Sequence, residues 1–425
     1  MADATFARFA GADLQEISSA RATPFYAHDL DGMRQAAAEL VASFGDAERL
    51  VAYAVKANSS ATVLRALFGA GAGADVVSGP ELELALRCGA KPEDVVFSGV
   101  AKTDDEIDRA IAAGIASIHV ESIEEIARVA ARAKAVGVRA SVSVRVNPSL
   151  AKEAIATHAH VATGHDEAKF GVLADDMPHA FEALFAARDH VSAAGVSAHV
   201  GSQLTEVEPY LASASALIAI AQEFRRRFAS TMRLVDTGGG MGIDYGAGCP
   251  VLPGDFVRAV RPLLARAGLA DLRHVIEPGR CLVAPYVVLV SRVVQTKASP
   301  SRPELRWLLV DAGMNDLLRP ALYQANHRVA VVAGAADPAG PAGPEVPWRV
   351  VGPVCESSDD FGLHALPATP PSIVCFRDAG AYGYTMASRY NGRALPGEVF
   401  LSGGRVVHEV PRASAEAWVD ERLGA

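Results

Sequence analysis

The sequence predicts an α/β protein in which a (β/α)8 TIM-like barrel over residues 31–285 is followed by a mainly antiparallel β domain over 286–425. Residues 1–30 fit no barrel unit and are expected to join the β domain. Three observations carry this. Between residues 50 and 280, eight short β-branched runs alternate with amphipathic stretches, and about 230 residues for eight such units matches the ~250 that barrels of this kind use. After residue 285 the helical rhythm gives way to strand-like runs. The polar residues of the first region fall at the C-terminal ends of its runs, where barrel enzymes place their chemistry.

The runs follow in order. LVAYAVKAN (50–58) ends near Lys56, and ADVVSG (74–79) carries Asp75 and Ser78. VVFSG (95–99) and SIHVES (117–122) are the third and fourth, and ASVSVRVNP (140–148) ends in Arg145 and Asn147. VSAHVGSQ (196–203) ends in His199 and Ser202, LVDTGGG (234–240) in Gly238, Gly239 and Gly240, and HVIEPGR (274–280) in Glu277 and Arg280. Between them SSATVLRALFGAG, GPELELALRCG, DDEIDRAIAAG and SIEEIARVAARAKAVG carry apolar residues at helical spacing and tend to stop at glycine. The β domain is read from YVVLVSRVVQTK, LRWLLVDAG, HRVAVVAG, WRVVGPVC, SIVCFRDAG and GEVFLSGGRVVHEV, with ADPAGPAGPEVP (336–347) as a surface loop.

Composition excludes several functions. The chain has 425 residues, half of them hydrophobic, and 40 Lys+Arg against 49 Asp+Glu give a net charge of -9, which disfavours a nucleic-acid or anionic-membrane partner. Its five cysteines are scattered without a C-x-x-C pair, so neither a disulfide framework nor a zinc ribbon is expected. No run approaches the ~20 apolar residues of a membrane span, and the N-terminus has no signal-peptide pattern, so the expected location is the cytoplasm. His158, His160 and His165 match no metal-ligand spacing and have no carboxylate to complete them, so no metal is expected.

Individual residues keep alternatives open. Lys56, flanked by apolar residues, is suited to be a Schiff-base nucleophile or is a lysine snorkelling from a strand end. DTGGGMG offers unobstructed backbone N–H groups to a phosphate or is a tight turn; it lacks both P-loop and dinucleotide spacing. Glu277 can hold a pyridinium N–H, and Arg280 a substrate carboxylate, or the two form an ordinary ion pair. His199 suits a general base, a metal ligand or a flat ring stacked on a cofactor, or it is structural, as such a histidine usually is.

AYAVKAN, HVGSQLTEVEPY, DTGGGMGIDY, EPGR, DAGMNDLLRPALY, GPVCESSD and DAGAYGYTMASRYN, collinear from TPFYAHDL near residue 23 to the final strands, closely resemble the fold-type III pyridoxal-phosphate decarboxylases. EPGR is shared with ornithine and arginine decarboxylases, whereas HVGSQLTEVEPY and RPALY point to the diaminopimelate branch. The resemblance implies pyridoxal 5'-phosphate linked to Lys56, with His199 stacked on the ring and Glu277 paired with the ring nitrogen. Ser202, Gly239, Gly240, Gly279 and Arg280 would hold the phosphate, and Asp75, Arg145 and Tyr382 would also face the cofactor. Arg280, Arg319, Tyr323, Glu356 and Tyr382 would bind substrate, and Cys355 would be the proton donor. The implied reaction is decarboxylation of meso-2,6-diaminopimelate to L-lysine and CO2, the last step of lysine biosynthesis, by a homodimer with sites at the subunit interface. The alternative is a relative acting on ornithine, lysine or a D-amino acid. SGPELELA departs from the family's usual S-G-G-E-L, and Pro80 is expected in a helix's first turn with little functional consequence.

Overall fold

The computed structural model describes residues 5–149, 168–333 and 343–424. The chain clusters into two compact units: Arg34–Ile243 with Cys249–Leu282, and the segment up to Met33 with Asp244–Gly248 and the chain from Val283 onward.

The first unit is a closed parallel barrel. Its strands are Arg49–Ala54, Gly73–Val76, Val95–Phe97, Ser117–Val120, Ala140–Asn147, Val191–Ser197, Leu234–Gly239 and Arg273–Glu277. The last closes on the first through His274↔Arg49 and Ile276↔Val51. A two-residue strand, Val172–Leu173, adds to Ala140–Asn147 to complete a nine-stranded sheet. Buried on both faces, these strands read as apolar runs, so the polar side chains within them stand out.

The helices between strands start and stop on local chemistry. Ser78 Oγ accepts the Glu81 N–H at the start of Gly79–Arg87, with Pro80 in its first turn. Thr103 and Glu106 form a reciprocal capping box on Asp104–Ala113, which Gly114 ends in the left-handed conformation.

One strand is displaced from its expected place. The sixth covers Val191–Ser197, so His199 and Ser202 lie in the loop beyond it rather than at its end. Its small residues hide it from a pattern search, and the packing explains them: a Cβ on Gly195 would sit 2.2 Å from the Leu234 carbonyl oxygen.

The second unit is a ten-stranded mixed, mostly antiparallel sheet. The long strand Val287–Ser299 pairs antiparallel with Arg302–Val310, Ile373–Phe376 and the N-terminal strand Phe25–Asp29. Phe25–Asp29 in turn lies parallel to Gly397–Ser402, and Thr5–Phe6 lies parallel to Val329–Val332. Asp360–Pro367, which pairs with Glu345–Val351, was not expected from sequence; glycine, histidine and proline obscure its half-exposed alternation. Asp244–Gly248 is fixed by Asp244 Oδ1, which accepts the Gly246 and Gly248 N–H groups at 2.6 and 2.9 Å. Among the described residues no helix is long and apolar enough to cross a membrane.

Candidate active site

Lys56, Ser98, Arg145, Phe170, His199 and Glu277 line a cavity of about 340 Å3 in the barrel unit. Lys56 sits in the single turn Val55–Ala57 that continues the first strand, and Asp75 lies on the second strand. Arg145 is on the fifth strand, His199 lies just past the sixth, and Glu277 ends the eighth. All therefore stand at the C-terminal ends of the strands.

Charge is concentrated where water is scarce. Lys56 Nζ donates to Asp75 Oδ2 at 2.9 Å, and the aspartate side chain is fully buried. Glu277 Oε1 accepts from Ser98 Oγ at 3.1 Å. Burial pushes the Glu277 carboxyl well above its ordinary range; Asp236 and Asp75 push the same way, against Lys56 and Arg145. Asp236 is also raised, first by burial. Burial, then Arg145 and Lys56, hold His199 well below the ordinary histidine value, so its ring is neutral. The Gly239 N–H donates to His199 Nδ1 at 3.1 Å, which leaves the proton on Nε2 and fixes the plane of the ring.

The glycine run is shaped by close backbone approach. A Cβ on Gly239 would lie 1.9 Å from the Glu277 carbonyl oxygen, and one on Gly240 2.3 Å from that of Gly201. No larger residue fits at either position, and Gly240 also has φ +99°. Arg280 Nη2 donates to Ser202 Oγ at 3.0 Å, tying the loops after the sixth and eighth strands together. Gly279 packs against the first loop, where an added Cβ would be 3.1 Å from those of Ala54 and Ala57.

Several site residues went unread in the sequence. His119, Asp236 and Glu277 place ligand-capable atoms within 4.8 Å of one another, all buried. Burial, with Lys102 and Arg145, lowers the His119 imidazole to about 3, so it is neutral. Glu121 accepts from Arg145 Nη1 at 2.7 Å and from the Gly171 N–H at 2.7 Å, while its own N–H donates to Glu125. Buried Lys102 donates to the Gly99 and His119 carbonyls. The signal was present: Ser98, His119, Glu121 and Asp236 are polar residues inside runs otherwise built for a buried parallel sheet. His158, His160 and His165 lie outside the described residues.

On the β unit, Arg319 opens the short helix Arg319–Tyr323 and is buried. Its Nη1 bonds His327 Nε2 at 2.7 Å, and its guanidinium lies 4.8 Å over the Tyr245 ring. Tyr323 ends that helix, and Tyr382 adopts φ +57° in the GAYGY turn. Cys355 and Glu356 are exposed; the Cys355 N–H donates to Asn391 Oδ1 at 3.2 Å, and Tyr390 Oη donates to Glu356.

The chain is similar to known proteins along nearly its whole length. Residues 30–284 match the family described as pyridoxal-dependent decarboxylase, pyridoxal binding domain. Diaminopimelate decarboxylase of Pseudomonas aeruginosa is 39% identical over 95% of this chain and 93% of its own. That of Zymomonas mobilis is 36% identical over 95% and 93%. The crystal structure of diaminopimelate decarboxylase from Helicobacter pylori complexed with L-lysine superposes with a TM-score of 0.87 at 35% identity, covering 97% of this chain and 100% of that one. A chlorella virus arginine decarboxylase, 20% identical with a TM-score of 0.75 over 91% and 98% of the two chains, shares the fold. By full-length similarity as well as by its cofactor-binding domain, the chain belongs to the diaminopimelate decarboxylases within the pyridoxal-dependent decarboxylase family.

Proposed function

We propose that this chain decarboxylates meso-2,6-diaminopimelate to L-lysine with pyridoxal 5'-phosphate, as a cytoplasmic homodimer. The observation that carries the reading is the barrel cavity in which an amine (Lys56), a flat neutral imidazole (His199) and a buried carboxyl (Glu277) stand together. The residues fit the cofactor. A volume of about 340 Å3 is within the ~300–1,000 Å3 of small-molecule sites. Asp75 Oδ1, Asp236 Oδ2 and His119 Nε2 are buried without a hydrogen-bond partner among the described residues, as in a site built around a further polar group.

Bound pyridoxal phosphate supplies an electron sink for the pair left behind when the carboxylate departs. Lys56 would hold the cofactor, and Asp75, which accepts from its amine, would balance that amine's charge. Glu277 would pair with the ring nitrogen; burial raises its carboxyl, and a cationic partner would favour its charged form. His199, fixed in plane by Gly239, supplies a flat face, and Arg145 adds positive charge. Ser202, Gly239, Gly240, Gly279 and Arg280 would hold the phosphate. Arg280, Arg319, Tyr323 and Tyr382 orient the substrate, with Glu356 on its amine. Cys355, with Glu356, reaches the site of a second subunit and returns a proton to the carbon that lost CO2.

CO2 release from meso-diaminopimelate, ornithine, lysine and D-amino acids, each with pyridoxal phosphate present, tests the reading. A kcat/KM for diaminopimelate at least about a hundredfold above the others is expected. Faster turnover of any other substrate overturns it.

A further inference from the structure

We propose that His327 is a positioning residue for Arg319, setting the direction of the guanidinium that takes the substrate's second carboxylate. The inference rests on the substrate-orienting role proposed for Arg319 above, and takes that carboxylate as the group its guanidinium receives. Arg319 is 6% exposed and His327 2%. Arg319 Nη1 is 2.7 Å from His327 Nε2, and His327 Nδ1 is 2.9 Å from the Arg377 carbonyl oxygen. A guanidinium has only donors and a carbonyl only accepts. Nε2 must therefore accept and Nδ1 must carry the proton, so the two neighbours select the neutral Nδ1–H tautomer.

Local folding brings the pair together. Gln324 adopts φ +53°, the left-handed conformation, and the Ala325 N–H that follows donates to the Arg319 carbonyl at 3.4 Å, so the chain reverses. His327 then lies just ahead of strand Val329–Val332. The Arg377 N–H donates to the Arg328 carbonyl at 2.9 Å, extending the antiparallel pairing Val329↔Phe376. The carbonyl that orients His327 is thus held by the sheet.

Tyr245 supplies the third contact. Its ring lies under the Arg319 guanidinium and meets the His327 ring edge-on, with centroids 5.4 Å apart and planes at 77°. Arg328 donates to the Asp244 carbonyl at 3.3 Å and pairs with Asp378 at 2.7 Å, anchoring the loop that bears Tyr245. Since the fork is planar, fixing one N–H and one face fixes the direction of the remaining donors. A neutral imidazole does this without cancelling the charge. A carboxylate in the same place would compete with the substrate's own. Orienting a long side chain in advance removes an ordering cost from binding.

The test uses the holoenzyme and two competitive inhibitors: L-lysine, which keeps the second carboxylate, and 1,5-diaminopentane, the same chain without it. His327→Leu is expected to weaken L-lysine by about tenfold or more and 1,5-diaminopentane by less than about twofold, with bound-cofactor absorbance retained. His327→Gln, whose amide oxygen accepts from the guanidinium, should bring L-lysine back to within about threefold of wild type. Equal weakening of both ligands, no weakening of either, or a Gln variant no better than Leu overturns the proposal. Arg319→Leu separates the failures. If L-lysine binding changes there but not in His327→Leu, the positioning role alone falls; if it changes in neither, the carboxylate-binding role of Arg319 falls and takes the inference with it.

Discussion

The barrel cavity and the Cys355–Glu356 loop present their chemistry in opposite ways. In the barrel, Asp75, Arg145 and Glu277 are buried and Lys56 and His199 partly so, and burial is the first cause of the shifts at His199 and Glu277. On the β unit, Cys355 and Glu356 are exposed, and neighbours at Tyr390 and Asn391 hold their loop. The first set is tuned by exclusion of water within one chain. The second is held in place but exposed in the single chain, and in the proposed dimer it would complete the site of the other subunit.

Removing the barrel's amine should have the largest effect. Lys56→Ala is expected to abolish turnover and the visible absorbance of bound cofactor. A variant that keeps the absorbance would show that the cofactor is held elsewhere.

The division between the two regions is tested by mixing Lys56→Ala with Cys355→Ala protein under conditions that allow subunit exchange. About half the dimers would be mixed, each with one intact site, so activity should recover to roughly a quarter of wild type. Exchange without recovery would mean that each site is built from one chain.

Glu277→Gln keeps size and removes charge. The expected fall in kcat is at least ~10²-fold, about 2.7 kcal/mol of barrier. A fall below about threefold would make this carboxyl structural.

The smallest effect concerns stability. Asp236 and Glu277 both hold protons more tightly in the folded barrel than in the unfolded chain, Asp236 up to about 7. Between the ordinary carboxyl range near 4 and that value the native state binds more protons, so the pair's contribution to stability falls as pH rises. Buried His119 and His199, with depressed values, contribute in the opposite direction, so only the difference from a variant isolates the pair. Relative to wild type, the thermal midpoint of cofactor-free Asp236→Asn should rise by at least about 2 °C between pH 5 and pH 8. A difference independent of pH would remove the pair from the account.

The fold was largely legible because strand and helix periods alternate so regularly. What was lost had local causes: small residues where the sixth strand touches its neighbour, and a half-exposed strand, Asp360–Pro367, broken by glycine and proline. Lys56, Asp75, Arg145 and Glu277 stood out because a polar residue near a strand's end is conspicuous. Ser98, His119 and Asp236 lay inside the same runs but were absorbed into the strand pattern. His327 was illegible for another reason: its meeting with Arg319 depends on a left-handed Gln324 and on sheet register, neither of which the sequence spacing encodes.

The central claim is that cofactor chemistry is organised on Lys56 within the barrel. Borohydride reduction of the holoprotein, which fixes the lysine linkage, followed by peptide mapping tests it directly. Lys102, buried beside Gly99 and His119, is the internal competitor. The label should lie on the peptide containing Lys56 and be absent from that containing Lys102; label on Lys102, or on any other lysine, would contradict the account.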